Sequence, residues 1–184
     1  IIASKRWLAD HKASVRVLRM THGFSMALHV SGNCCNLLLM NCYIISNNHE
    51  KTMAEGSKTK KIDQIEKLHS EIPRDVLVTE PTILMGGDFN FVESRNDRSR
   101  HFLNGKQRNP PLTPNDHDSV RQAFDDVKTK LGVVESHHGY ESYRSHLYIR
   151  PDGVPEDQAD LSASYYTWTR LDRWYISDSA SVFL

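Results

Sequence analysis

The sequence has only three cysteines, clustered as Cys34, Cys35 and Cys42. Adjacent cysteines rarely bridge each other, and there is no Cys-x-x-Cys pair of the kind that binds zinc. These features exclude a disulfide scaffold and a zinc ribbon, and they predict reduced, mostly buried thiols. The opening segment "IIASKRW" lacks the charged start and the cleavage site of a signal peptide and has the composition of a strand interior. We therefore expect an intracellular protein, nuclear or cytoplasmic, that is not secreted.

Net charge is also absent, because 23 lysines and arginines balance 23 aspartates and glutamates. The chain therefore has no global basic field to attract nucleic acid, although phosphate contacts need only a basic face. No stretch approaches the ~20 consecutive apolar residues of a membrane-spanning helix, so no membrane partner is expected. With 184 residues, of which 39% are hydrophobic, the chain is long enough for one domain with a sizeable core.

Hydrophobic periodicity predicts strands mixed with two helices. Apolar residues spaced by three in a charged segment indicate a surface helix at about 55–71. The segment "VRQAFDDVKTKL" indicates a second helix, capped by Asp118 or Ser119 and ended by Gly132. The predicted strands are 24–30, 36–45, 82–87, "GVVES" and a closing pair, "SYYTWTR" and "LDRWYIS".

Two long polar stretches separate these elements. Residues 95–118 are rich in Asn, Arg and Pro and are predicted to be an irregular loop, and residues 136–162 are predicted to be an exposed insertion. Strands mixed with helices in this order predict a layered α/β or α+β domain.

One strand end carries the residues with the clearest chemistry. The segment "ILMGGDFN" finishes an apolar strand in two glycines, an aspartate and an asparagine. Active-site groups commonly lie in such loops on a rigid scaffold. Asp88 is suited to holding a metal or accepting a proton from water, and Asn90 is suited to donating a hydrogen bond to a phosphate oxygen. A solvated Asp-Asn turn is the alternative interpretation.

Two further segments place polar groups in strand-like patterns. In "RLDRWYIS", Asp172 is flanked by Arg170 and Arg173, which is also typical of a structural ion pair. In "NCYIISNN", Tyr43 lies at a strand end, where its hydroxyl would either approach a phosphate or pack in the core. Each segment is a weak signal alone, so their order along the chain carries more information.

Taken in order, these segments resemble the endonuclease/exonuclease/phosphatase superfamily. The matching elements are "NCYIISNN", then "GGDFN" with Asp97 and Arg98 shortly after it, then "LGVVES", "YTW" and "LDRWYIS". They extend from residue 1 to about 178, and the match is weakest near 140–162. The "TW…LDRxxxS" form looks most like the endonuclease domains of non-LTR (LINE-type) retrotransposons, which are similar to apurinic/apyrimidinic endonucleases.

The resemblance implies a fold and an activity. The fold would be a single domain over residues 1–184, a four-layered α/β (α+β) sandwich in which helices flank two mostly antiparallel sheets. The activity would be hydrolysis of phosphodiesters with Mg²⁺ or Mn²⁺ as the cofactor. In its most specific form, the resemblance implies DNA as the partner and nicking by a retroelement endonuclease.

The resemblance also implies a role for each motif residue. Asp88 would orient and deprotonate the attacking water and would be a metal ligand, and Asn90 would hold the scissile phosphate. Tyr43 would contact that phosphate and steady the transition state. Asp172 would orient a histidine that protonates or stabilises the phosphoryl group, because a carboxylate partner fixes the tautomer of an imidazole and raises its basicity.

Two superfamily motifs are not found among these residues. The metal-binding glutamate would precede residue 1, and the histidine of the terminal "SDH" motif would follow residue 184. The segment "NDHD" at 115–118 imitates the histidine motif, but it precedes Asp172 and is therefore in the wrong order. We thus expect a domain truncated at both ends, whose main acidic metal ligand lies elsewhere and which is inactive alone.

Basic and aromatic residues near the motifs are the expected substrate contacts. Arg98, Arg100 and Arg173 are suited to contacting phosphate. Trp168 is expected either to pack in the core or to stack on a base. Solvated surface positions are the preferred interpretation, over metal or phosphate contacts, for His137, His138, His146 and the "SKTKK" run at 57–61.

Three functions remain open at this stage. The first is the metal-dependent DNA endonuclease. The second is an inositol-phosphate or sphingomyelin-type phosphoesterase of the same fold, which would require an additional recognition motif that the sequence does not contain. The third is a catalytically dead remnant or interaction module. No protein partner can be inferred.

Overall fold

The computed structural model describes residues 4–20, 25–45, 54–91, 93, 97–102, 107–108, 118–136, 144–148, 165–169 and 171–181. In chain order the elements are α1 (Lys5–Asp10), β1 (Ser14–Arg19), β2 (Ser25–Gly32), β3 (Cys35–Tyr43), α2 (Ala54–Ser70), α3 (Arg74–Leu77), β4 (Thr82–Asp88), β5 (Arg98–Phe102), β6 (Gln107–Arg108), α4 (Asp118–Leu131), β7 (Val133–Glu135), β8 (Arg144–Tyr148), β9 (Tyr165–Thr169), β10 (Asp172–Ser177) and α5 (Asp178–Ser181). No helix among the described residues is long and apolar enough to cross a membrane.

The strands form a six-stranded mixed sheet and a four-stranded sheet. The larger sheet has the order β1-β2-β3-β4-β10-β7, and the smaller has the order β6-β5-β9-β8. All described pairings are antiparallel except that of β3 with β4. Parallel neighbours require a crossover connection, and here α2 and α3 lie between the two strands in sequence. The predicted mixture of helices and mostly antiparallel strands is confirmed.

Helices α2 and α4 cover one face of the six-stranded sheet and enclose the core. Alternate side chains of the central strands, such as Leu38 and Met85, are fully buried there. An aromatic cluster occupies the middle of this layer. Phe89 packs against Phe124 with ring centroids 5.0 Å apart and against Tyr175 at 5.4 Å. These contacts bring the loop after β4, helix α4 and strand β10 together.

The opposite face of the six-stranded sheet is also apolar, but it is much more exposed. One row of directly paired residues crosses all six strands, and we call it the apolar row: Val17, Leu28, Leu39, Leu84, Ile176 and Val134. Val17 at one end is 56% exposed, and Trp174 beside the row is 58% exposed. Leu84 and Val134 of the row are also exposed, whereas Leu28, Leu39 and Ile176 are half-buried. Large contiguous apolar patches with this much exposure are uncommon on monomeric soluble proteins.

Most predicted elements are present with small shifts of their ends. The two main helices begin and end within one or two residues of the prediction, and the strands at 24–30, 36–45 and 82–87 are β2, β3 and β4. The strand-like interpretation of "IIASKRW" was wrong for residues 4–7, where Ser4 is the N-cap of α1, and residues 1–3 lie outside the described residues. Strand β5 lies in the predicted irregular loop, and β8 lies in the predicted insertion.

The cysteines are free, but they are less buried than expected. Cys34 is exposed, Cys35 is half-buried and Cys42 is buried. Cys34 lies in the turn between β2 and β3, where no core is available to cover it. Burial raises the pKa of the Cys42 thiol to about 12, so this thiol is protonated and unreactive at neutral pH.

Candidate active site

Three of the four motif residues lie side by side across the centre of the six-stranded sheet. Tyr43 ends β3 and pairs with Asp88, which ends β4, and Asp88 pairs in turn with Asp172, which begins β10. Directly paired residues on neighbouring strands carry their side chains on the same face of a sheet, with Cβ atoms about 5 Å apart. A phenol and two carboxylates therefore share one face within a width of roughly 10 Å.

We call Tyr43, Asp88 and Asp172 the trio, and it lies at one end of the exposed sheet face that carries the apolar row. Along β4 the trio residue Asp88 lies four positions beyond Leu84, and along β10 Asp172 lies four positions before Ile176, so side-chain alternation keeps them on one face. Tyr43 is 43% exposed and Asp88 is 9% exposed. The side chain that a ligand would meet first is thus the phenol, and the Asp88 carboxylate is largely shielded from bulk water.

The backbone turns sharply after β4 and fixes the Asp88 carboxylate. Asn90 has a left-handed conformation with φ of 50°, which asparagine tolerates better than most residues. Its N–H donates to Asp88 Oδ1 at 3.0 Å. The segment "GGDFN" therefore does form an Asp-Asn turn, but one at a buried strand end rather than in a solvated loop.

Asn90 joins the ends of two site strands. Its Nδ2 donates to the carbonyl of Ile44 at 2.8 Å, and the Ile44 N–H donates to the carbonyl of Asp88 at 2.9 Å. The side chain that was expected to hold a phosphate thus contacts the residue that follows Tyr43. The structure brings Asn90 to the same strand ends as the trio, and its contact with a phosphate stays a prediction.

Arg173 does not lie where a substrate contact was expected. Its side chain is 0% exposed and points to the helix-covered face, because neighbours along a strand alternate between faces. It donates to the carbonyl of Phe91 at 2.8 Å and forms an ion pair with the buried Asp97 at 3.4 Å. Arg173 therefore anchors the segment that follows Asn90, which is a correction to its expected role in binding phosphate.

Glu93 lies between the buried Arg173 and Lys128 of helix α4. It accepts a hydrogen bond from the Tyr175 hydroxyl and pairs with Lys128 at 3.2 Å. Burial, followed by the nearby Glu93 carboxylate, raises the pKa of Tyr175, so the phenol keeps its proton and remains a donor. Tyr175 and Lys128 behind the trio are thus both paired with Glu93.

We expect Arg173→Met to lower the free energy of unfolding by about 3 kcal/mol, because it removes the cation from a buried ion pair with Asp97. The measurement is urea denaturation of the 184-residue chain. Arg16→Met is the matched control, since the Arg16–Asp75 pair is exposed and such pairs contribute about 0–1 kcal/mol. Equal stability of the two variants would contradict the anchoring role of Arg173.

The other predicted substrate contacts belong to the four-stranded sheet. Arg98 is half-buried at the start of β5, where it pairs with Thr169. Arg100 lies in β5 and Trp168 in β9, but their side chains are outside the described part of the structure. The same holds for the side chain of His146 in β8, and His137 and His138 lie outside the described residues altogether.

The carboxylates of the trio are the only acidic groups paired directly across these strand ends among the described residues. No group of three or more His, Cys, Asp or Glu side chains in the described ranges is arranged to hold a metal ion. Asp88 and Asp172 alone are two oxygen donors of the type that Mg²⁺ and Mn²⁺ prefer. Their chemistry fits a share of a magnesium site, with further ligands needed to complete it.

The chain matches no protein-family model and no curated protein. Among solved structures it is similar to the catalytic domain of Xenopus laevis APE2, with 15% identity, a TM-score of 0.49, and 85% of this chain and 47% of that chain covered. It is also similar to the endonuclease domain of TRAS1, a telomere-specific non-LTR retrotransposon, with 12% identity, a TM-score of 0.45, and coverages of 90% and 57%. A third similar structure is beta toxin of Staphylococcus aureus, with 14% identity, a TM-score of 0.41, and coverages of 84% and 42%.

The chain spans about half the length of the structures that it matches. At such identities and TM-scores, the likeness concerns the course of the backbone and assigns no role to any residue of this chain.

Proposed function

We propose that this chain carries part of the active site of a divalent-metal-dependent phosphodiester hydrolase, and specifically of a DNA-nicking endonuclease of a retroelement. The observation that carries the proposal is the trio of Tyr43, Asp88 and Asp172 on three adjacent strands. A phenol beside two carboxylates at a strand-end rim can accept a proton, orient a partner group and steady charge on a phosphoryl group.

Each residue of the site has a proposed task. Asp88, held by the Asn90 N–H, would orient the attacking water and accept its proton. Tyr43 would donate a hydrogen bond to the phosphoryl oxygens, on which charge builds up in the transition state. Asp172 would orient an imidazole contributed from outside these 184 residues, and Asn90 would hold the scissile phosphate through its carboxamide.

Asp88 and Asp172 would also contribute to a magnesium or manganese site. Their Cβ atoms are about 5 Å apart, as expected for directly paired residues, and carboxylates at this separation can share one hard cation. When bound, the ion would neutralise negative charge on the phosphodiester and lower the pKa of a bound water.

We further infer that the four-stranded sheet packs against the apolar row to form the four-layered sandwich. Strand β9 ends at Thr169 and β10 begins at Asp172, so only residues 170 and 171 join the two sheets at the site. Aligned sheets pack about 10 Å apart through apolar inner faces. This packing would cover the exposed face and bring Arg98 and Arg100 of β5 towards the trio.

The test is cleavage of supercoiled plasmid DNA by the polypeptide with its flanking coding segments included. We expect conversion to the nicked circle with Mg²⁺ or Mn²⁺ and none with EDTA, because the proposed site needs the ion for charge neutralisation. The 184 residues alone should show negligible turnover, since the proposed histidine and main acidic ligand lie outside them. A DNA substrate would be met in the nucleus or the cytoplasm, where we propose that the protein acts.

Other outcomes distinguish the remaining functions. Hydrolysis of inositol phosphates or sphingomyelin without nicking would favour the phosphoesterase alternative. Absence of turnover on every phosphodiester, in a folded polypeptide that includes the flanking segments, would favour a catalytically dead remnant. EDTA-sensitive nicking by the 184 residues alone would overturn the expectation that further ligands are needed.

A further inference from the structure

Helix α2 directs two polar side chains at the strand ends that carry the site. Lys61 Nζ donates to the carbonyl of Asn90 at 2.9 Å, and Gln64 Oε1 accepts from the N–H of Ile45 at 3.0 Å. Residues three apart lie on the same side of a helix, so one face of α2 reaches both loops. Neither side chain belongs to the motifs that carry the proposed chemistry.

The burial of Lys61 is unusual for its residue type. Its side chain belongs to the lysine-rich run that we expected to be a solvated helix start, yet Lys61 is only 2% exposed. Lysine is almost never fully buried, because its ammonium group must then exchange water for protein hydrogen bonds. The carbonyl that it contacts belongs to Asn90, whose left-handed backbone turns that oxygen towards α2.

The two contacts of α2 close a loop of hydrogen bonds around the site. Asn90 Nδ2 donates to the carbonyl of Ile44, and the Ile44 N–H donates to the carbonyl of Asp88. The end of β3 and the end of β4 are thus tied to each other and, through Gln64 and Lys61, to the same helix. Tyr43 and Asp88 are the last residues of these two strands, so the helix fixes where both are placed.

We propose that Lys61 and Gln64 are positioning residues, which hold the end of β3 and the turn after β4 in register so that Tyr43 and Asp88 act on one phosphate. This inference rests on the function proposed above. Displacing a reacting group by about 1 Å can reduce a rate by 10²-fold even when substrate still binds. Precise sites depend on such supporting contacts behind the reacting groups.

The kinetic test compares Lys61→Met and Gln64→Met with the control Lys67→Met in the nicking-competent polypeptide. Gln64→Met keeps the length of the side chain and removes the acceptor, whereas Lys61→Met shortens the side chain by one atom and removes the donor. We expect each to lower kcat roughly 10- to 100-fold while KM for DNA changes less than about threefold, because DNA still binds but the reacting groups are misplaced. Lys61→Arg retains donors and should recover part of the lost kcat.

Lys67→Met is the matched control on the same helix. The partly exposed Lys67 pairs with the exposed Asp63 one turn away at 2.7 Å. We expect this variant to nick DNA at the wild-type rate. Wild-type rates in Lys61→Met and Gln64→Met as well would overturn the inference while leaving the proposed function standing. Absence of nicking by the wild type would instead defeat the proposed function.

A second measurement needs no catalysis and uses the 184-residue chain. Hydrogen exchange of the Ile45 amide reports its bond to Gln64 directly. We expect Gln64→Met to speed this exchange at least about tenfold by local opening, whereas amides in the middle of β3 keep their protection. Unchanged exchange at Ile45 would show that Gln64 does not hold this strand end and would overturn the inference independently of any rate.

Discussion

Asp88→Ala is expected to lower the rate of plasmid nicking by about 10³-fold, because a general base typically contributes 10²- to 10⁴-fold. The carboxylate lies at the centre of the trio, paired with Tyr43 on one side and with Asp172 on the other. Its loss would remove both the proposed proton acceptor and one of the two proposed metal ligands. The measurement is the initial rate of nicked-circle formation in Mg²⁺ with saturating DNA.

A second substitution at position 88 distinguishes the effect of the negative charge from the effect of the hydrogen bond to Asn90. Asp88→Asn keeps an oxygen that can accept the Asn90 N–H but removes the negative charge. We expect a similar loss of rate with little loss of stability. Asp75→Ala is the control, since Asp75 is an exposed carboxylate paired with Arg16 and should be dispensable. Nicking by Asp88→Ala at the wild-type rate would remove Asp88 from the proposed mechanism.

Gly87→Ala should destabilise the fold by about 4 kcal/mol or prevent folding, a loss that belongs to the most severe class for a single substitution. Gly87 has φ of 145°, in a region that only glycine occupies readily. A Cβ atom there would lie 1.9 Å from the carbonyl oxygen of Cys42. That oxygen belongs to the neighbouring strand β3, so relief would require separating β3 from β4.

Gly132→Ala is the matched control for this prediction. Gly132 ends α4 with φ of 62°, and a Cβ atom there would meet nothing within 4 Å. Only the backbone conformation is then unfavourable, which costs roughly 1–2 kcal/mol. Urea denaturation of both variants measures the difference. Equal loss of stability in the two would mean that the contact with Cys42 is relieved without cost.

Gly87, directly before Asp88, affects both the stability of the sheet and the geometry of the candidate site. Close approach of β4 to β3 at Gly87 is possible only without a side chain, and this approach brings Tyr43 beside Asp88. Gly87 is therefore required for the strand pairing that forms the candidate site. A substitution at Gly87 should abolish activity through the fold, whereas one at Asp88 should spare the fold.

The placement of Tyr43, Asp88 and Asp172 could be predicted, because it depends on local residue patterns and on the order of the strands along the chain. An apolar run that ends in "GGDFN" identifies β4 and its terminal carboxylate, and "NCYIISNN" and "LDRWYIS" identify β3 and β10 in the same way. Strand alternation then decides which residues share a face. The positions of Tyr43, Asp88 and Asp172 at strand ends predicted that these residues lie close together. The strand register places them side by side.

The supporting residues could not be predicted, because their environment is created by segments distant in sequence. Lys61 has the local pattern of a solvated helix start, yet it is buried and donates to the carbonyl of Asn90, 29 residues away in sequence. Arg173 is equally ambiguous between phosphate and carboxylate partners until Asp97 is placed beside it. Hydrophobic periodicity and turn-forming residues act over a few positions, so the amino-acid pattern was sufficient to predict the strands and the polar residues at their ends. The burial of a charge depends on long-range packing, and the three-dimensional arrangement alone assigned the polar side chains behind the site.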